Sequence, residues 1–92
     1  MGYAVSYHPL VKEKDLPKLD IKIKTRIRNA IESKLMIAPD QYGAPLRKTL
    51  KGCWKIRAGD YRVVFRIKGN EIVILAILHR KDVYSVVSKD RR

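Results

Sequence analysis

An α+β fold is what this sequence predicts: a small antiparallel, mixed-edge twisted sheet with two N-terminal helices packed on one face. Three observations lead there. A period-two segment opens the chain, a long apolar stripe of helical period follows, and further period-two segments separated by two-residue turns come after it. The 92 residues suffice for one compact domain, taken as 1–92, and 46% of them are hydrophobic, enough to build a core.

Residues 3–7 alternate, with Tyr3, Val5 and Tyr7 on one side, which reads as the opening strand. His8-Pro9 turns the chain, and Pro9 suits the first turn of a helix. That helix is short, because Pro17 lacks a backbone donor and breaks it. Asp20 can cap the next helix, in which Ile23, Ile27, Ala30, Ile31 and Leu35 recur at helical spacing. Lys22, Lys24, Arg26 and Arg28 lie mostly off that stripe, and the helix ends before Pro39. Residues 39–45, containing Gly43, read as a loop. A short strand is expected around 46–50, then strands over 53–58, 61–68 and 71–79, with Gly59-Asp60 and Gly69-Asn70 as the turns between the last three. Residues 81–92 read as a brief helix and a charged end.

Charge narrows the function. Twenty-one Lys and Arg against nine acids give +12. Residues 1–46 hold 8 basic and 5 acidic side chains, net +3, whereas 47–92 hold 13 and 4, net +9. A polyanion is therefore drawn to the second half, through phosphate neutralisation and counterion release. An acidic protein partner fits the same field, and a merely solvated basic face is the plainer alternative. The single cysteine, Cys53, excludes an intrachain disulfide framework and a cysteine-based zinc site. The first 20 residues lack the apolar run of a signal peptide, and the apolar stretch 72–78 is too short to cross a membrane. A cytoplasmic protein without a membrane partner is the expectation.

Alternation then sorts side chains onto two faces. Trp54, Ile56, Val63, Phe65, Ile67, Ile72, Ile74, Ala76 and Leu78 are expected to form the apolar face that receives the helices. Lys55, Arg57, Arg62 and Arg66 converge on the other, joined by Val73, Leu75 and Ile77, so something is expected to cover part of it. The Gly59-Asp60 turn pairs Arg57 with Arg62 and Lys55 with Val64. The Gly69-Asn70 turn pairs Phe65 with Ile74 and Arg62 with Ile77. Like charges directly opposite each other destabilise a sheet, and a phosphate between Arg57 and Arg62 would offset that cost. Both guanidiniums splaying into water is the alternative. The same counting puts His79, rather than Arg80, on the face of Arg62. Histidine titrates near neutrality, so His79 is an acid–base candidate there, or else a polar cap on a strand end. Of the remaining residues, His8 reads as a helix start, Cys53 as a small packing residue and Trp54 as a core anchor.

Two segments carry a family resemblance. Leu50-Lys-Gly-Cys-Trp-Lys-Ile-Arg-Ala-Gly-Asp-Tyr-Arg-Val-Val-Phe65 resembles the central hairpin of RelE-type toxins of the RelE/ParE toxin–antitoxin superfamily. Ile77-Leu-His-Arg-Lys-Asp-Val-Tyr84 resembles their closing strand and tail. The resemblance implies the toxin of a type II toxin–antitoxin system, a ribosome-dependent messenger-RNA endoribonuclease that needs no metal or other cofactor. It also implies a cognate antitoxin, with operator DNA bound only by the toxin–antitoxin complex. In such an enzyme the ribose 2′-hydroxyl attacks its own 3′-phosphate, which requires a base, a cation at the phosphorus and help for the leaving oxygen. By resemblance Lys55 is the base, Arg57 and Arg62 clamp the phosphate, Arg80 assists the leaving group, and Tyr84 stacks on or orients a nucleotide. Lys51, Arg66 and Lys81 are expected to add RNA contacts. The best-studied relatives carry lysine where this chain has Arg57, and arginine clamps phosphate well but cannot act as a base at neutral pH. Two other readings stay open: a ParE-type toxin that poisons DNA gyrase, and a catalytically inactive nucleic-acid-binding regulator.

Overall fold

The computed structural model describes residues 2–45 and 52–81. Among the described residues, five strands form one mixed sheet in the order β1-β5-β4-β3-β2, where β1 is Ala4–Tyr7, β2 Ala44–Pro45, β3 Trp54–Ala58, β4 Tyr61–Lys68 and β5 Glu71–His79. The central hairpins are antiparallel, and β1 joins the β5 edge in parallel, with Val5 opposite Ile72 and Tyr7 opposite Ile74. The mixed edge predicted from sequence is thus β1.

Between β1 and β2 in the chain lie the helical segments. His8 Nδ1 accepts from the Leu10 amide at 3.1 Å, so the imidazole caps the first helical turns, as its place after the strand suggests. A wide turn, Val11–Asp15, closes with the Leu16 amide donating to Val11 O, and the tight turn Leu16–Lys18 absorbs Pro17 at its start. Helix α1, Ile21–Ala30, is capped by Asp20, whose Oδ1 accepts from the Ile23 amide at 2.9 Å. It continues as a wide turn, Ile31–Leu35. The stripe read from sequence faces the sheet: Ile27, Ile31 and Leu35 are buried, and Ile23 and Ala30 pack against the same core.

One correction concerns segment 39–45. Where the sequence reads as a loop, Pro39–Tyr42 forms a short helix, α2, with proline at its first position where no amide bond is lost. The strand expected around 46–50 lies outside the described residues. The segment observed to pair with β3 is β2, with Ala44 opposite Lys55 and Pro45 opposite Trp54. Pro45 is tolerated there because β2 is an edge.

The main core fills the space between helices and sheet: Val11, Leu19, Ile27, Ile31 and Leu35 meet Ile56, Ala58, Val63, Phe65, Ile72, Ile74 and Ile77. Each Val, Leu, Ile or Phe among them contributes about 1.5–3 kcal/mol when fully buried. Trp54 packs against this cluster, as expected of an anchor. The opposite face carries a second buried cluster, Cys53, Val64, Leu75 and Ala76, flanked by Val73 and Leu78.

That division departs from strict alternation along β5. Val64 lies opposite Ala76 and Phe65 opposite Ile74, so Leu75 is an extra residue, a β-bulge. Residues before the bulge keep the predicted faces. Those after it are inverted: Ile77 joins the main core, whereas Ala76 and Leu78 turn to the other side. Phe65 does pair with Ile74, but Arg62 pairs with Leu78 rather than Ile77. Asp15 bonds to the strand just past the bulge. It is buried, and its Oδ2 accepts from the Ile77 amide at 2.9 Å.

Candidate active site

The β3–β4 hairpin turns at Gly59, whose φ of 63° is a conformation that side chains rarely adopt. The turn fixes the register derived from sequence, with Arg57 opposite Arg62 and Lys55 opposite Val64. Lys55, Arg57 and Arg62 line one cleft of 300 Å³ together with Tyr42, Ala44 and Ile56. Arg57 is exposed, and Lys55 and Arg62 are half-buried.

Arg62 does not splay into water. Its Nη1 donates to Gly59 O at 3.1 Å and to Tyr61 O at 3.0 Å, which folds the guanidinium back over the turn. An arginine has five N–H donors in a fixed fork, so Nε and Nη2 keep their donors for an anion in the cleft. A phosphate there meets a guanidinium already oriented by its own backbone, which lowers the ordering cost of binding.

Arg66 is the member of the predicted cationic quartet that does not line this cleft. It lies four residues farther along β4, roughly 13 Å at the usual strand rise. It pairs with Val73, and its Nε is buried without a hydrogen-bond partner among the described residues.

The face expected for His79 is corrected. The bulge reverses the parity that had placed it with Arg62, and it stands opposite Tyr61 instead. Its ring meets Tyr61 edge-on, with centroids 5.7 Å apart and an interplanar angle of 78°. It lines a 150 Å³ pocket with Asp15, Lys18 and Leu19. Its Nδ1 accepts from the Lys81 amide at 3.3 Å. The strand-end cap is therefore the reading that the geometry favours.

Arg80 and Lys81 follow the strand and are exposed. The Arg80 amide donates to Asp60 O at 2.9 Å, which ties this residue to the hairpin turn beside Arg62. Continued alternation gives Arg80 the parity of Leu78 and Arg62, but its side chain does not line the cleft. Tyr84 and Lys51 lie outside the described residues.

Tyr42 is the cleft residue that the sequence reading missed. It comes from α2, is 53% exposed, and has Lys34 Nζ 6.0 Å from its ring centroid. Pro39 as a helix-starting residue was the available signal, since a turn of helix after it carries Tyr42 toward β3.

On the helix side, a 170 Å³ pocket is lined by Tyr7, Lys24, Ile27, Arg28, Ile31 and Ile77, among others. Burial pushes the Tyr7 phenol above its usual pKa, the Glu32 carboxylate adds to this, and Arg28 opposes it. A neutral phenol suits this apolar wall.

Comparison with known proteins accords with the fold. Residues 5–84 match the family described as the ParE toxin of the type II toxin–antitoxin system parDE. Toxin RelG of Mycobacterium tuberculosis is 34% identical over 86 residues, covering 91% of this chain and 98% of that protein. The toxin–antitoxin complex RelBE2 of the same organism contains a chain that superposes with a TM-score of 0.79 at 32% identity, covering 87% of this chain and all of that one. A mutant of E. coli toxin RelE in the free state superposes with a TM-score of 0.72 at 18% identity, covering 92% and 93%, which shows the shared fold.

A mixed five-stranded sheet with helices on one side is thus the architecture of the RelE-type toxins, small proteins of the RelE/ParE superfamily. This chain belongs to the ParE toxin family within that superfamily, and it is the toxin of a type II toxin–antitoxin system.

Proposed function

We propose that this toxin is a ribosome-dependent messenger-RNA endoribonuclease, and that the Lys55–Arg57–Arg62 cleft is its phosphodiester site. One observation carries the reading: three cations from two neighbouring strands line a single 300 Å³ cleft. In that cleft Lys55 takes the proton of the ribose 2′-hydroxyl as its oxygen attacks the adjacent phosphorus. Arg57 and Arg62 balance the charge that builds on the non-bridging oxygens. The bond from phosphorus to the 5′-oxygen breaks, and that oxygen takes a proton from solvent as it leaves, giving a 2′,3′-cyclic phosphate and a 5′-hydroxyl. Arg80 assists the leaving oxygen, and Tyr84 stacks on a neighbouring base. His79 has no part in this scheme.

General acid–base help of this kind is typically worth about 10²–10⁴ in rate. Positioning of the message by the ribosome supplies much of the rest. The relationship to RelG and to the toxin in the RelBE2 complex supports both a nuclease of this type and a cognate antitoxin. The toxin acts in the cytoplasm, and operator DNA is bound only by the toxin–antitoxin complex.

The test is expression of the parent beside a Lys55→Ala, Arg62→Ala double variant, with primer extension on a translated message. The parent arrests translation and leaves cuts within codons, and the variant does neither. Equal toxicity of the two without cleavage refutes the nuclease. The matching family is described by its ParE members, which favours gyrase poisoning as the second reading. Gyrase-dependent DNA breaks in place of cut messages would establish it.

A further inference from the structure

On the other side of Arg57 lies a second cleft, of 390 Å³, lined by Arg26, Asn29, Ser33, Lys34, Arg57 and Gly59 among others. Residues 26, 29, 33 and 34 recur at the spacing of one helix face, so α1 and the turn that extends it present a continuous polar and cationic stripe here. This stripe is separate from the apolar one that packs on the sheet.

Three contacts join this cleft to the candidate active site. Arg57 lines both. Arg26 lies against the hairpin turn, its Nη1 2.8 Å from where a Gly59 Cβ would stand, while Gly59 O accepts from Arg62 on the other side. Lys34 faces the ring of Tyr42, which belongs to the first cleft. Among the described residues, no carboxylate lines either cleft, and Asp60 of the same turn lines neither. Cations gathered around a backbone turn repel one another, and a second anion relieves that repulsion.

We propose that the two clefts form one track, and that the second holds the phosphate next to the scissile one on the same RNA strand. Arg26 and Lys34 supply the charge. Asn29 offers amide donors, and Ser33, whose hydroxyl donates to Asn29 O at 2.6 Å, keeps lone pairs for a ribose hydroxyl. Arg57 stands between the two phosphates and contacts both. The proposal rests on the nuclease reading for the first cleft, and it adds a place for the flanking nucleotide.

The test uses the full chain, without ribosomes, and a 2′-O-methyl trinucleotide with two phosphodiesters beside one whose second linkage is a neutral methylphosphonate. The parent binds the neutralised probe about tenfold more weakly, the usual effect of one charged hydrogen bond. An Arg26→Gln, Lys34→Gln variant binds both probes alike, within about twofold. With a longer single strand, its log–log salt slope is shallower by about 0.7. Both side chains are exposed, so the melting temperature stays that of the parent. The proposal is overturned if the variant still distinguishes the probes as the parent does. It is equally overturned if the variant binds RNA like the parent but loses a purified antitoxin, which would assign the stripe to protein. Failure of the nuclease reading shows instead in primer extension, which this binding pattern does not involve.

Discussion

Replacing Asp15 with alanine tests whether a buried carboxylate holds the far end of β5 in its shifted register. Asp15 is 4% exposed, and its Oδ2 accepts from the Ile77 amide at 2.9 Å across 62 residues of sequence. Ile77 is the second residue after the bulge at Leu75, so this bond is made where the inverted parity begins. A hydrogen bond to a charged acceptor contributes about 1.5–3 kcal/mol, and a buried N–H left without a partner costs about 1–3 kcal/mol. Asp15→Ala should therefore lose about 2–3 kcal/mol. For a domain of this size that lowers the melting temperature by roughly 10–20 °C. Asp15→Asn keeps an acceptor oxygen on a side chain of the same shape and should lose less than half as much. Urea unfolding followed by circular dichroism measures both, with the slope against denaturant checking that one transition is observed. An alanine variant within about 0.5 kcal/mol of the parent would refute the reasoning, since surface changes commonly stay within that range. So would an asparagine variant as damaged as the alanine one.

Arg57→Thr removes one of two like charges facing each other across the hairpin and places a β-branched residue in an exposed strand position. It should abolish message cleavage yet leave the protein as stable as the parent or more so, by about 0.2–1 kcal/mol in urea unfolding. Gly43→Ala puts a Cβ 2.7 Å from Phe65 Cζ and 2.8 Å from Pro39 O. Phe65 is fully buried and cannot yield, so a loss of about 1–3 kcal/mol is expected from the same measurement. Tyr7 should steepen alkaline unfolding. Its folded pKa is raised above 10.0 by burial first and Glu32 second, so its contribution is present below about pH 10 and lost as pH rises through the higher folded value. Tyr7→Phe should lose stability less steeply with pH than the parent in that alkaline range, and identical slopes would remove Tyr7 as a contributor.

The hairpin that carries Lys55, Arg57 and Arg62 was legible from its own residues. A two-residue turn at Gly59-Asp60 dictates which neighbours face each other, so their shared cleft follows from local geometry. Asp20 as a cap and the Ile23–Leu35 stripe are local too, because a helix buries one face wherever its period places apolar groups. His79, Ile77, Ala76 and Leu78 were misassigned for one shared reason. Counting from Gly69-Asn70 assumes unbroken alternation, and a single extra residue inverts every side chain beyond it.

What the chain determines by itself is therefore whatever depends on near neighbours: the capped helix and its stripe, the tight turns, and the cationic face of the first hairpin. Only the folded molecule decided where alternation stops. The stretch just past the bulge is tied at Ile77 to Asp15, 62 residues distant, and no local pattern encodes a bond between positions so far apart. The same holds for Tyr42 and Arg26, which reach the cleft and the Gly59 turn because helix and sheet pack together. Packing brings together groups that sequence spacing keeps separate.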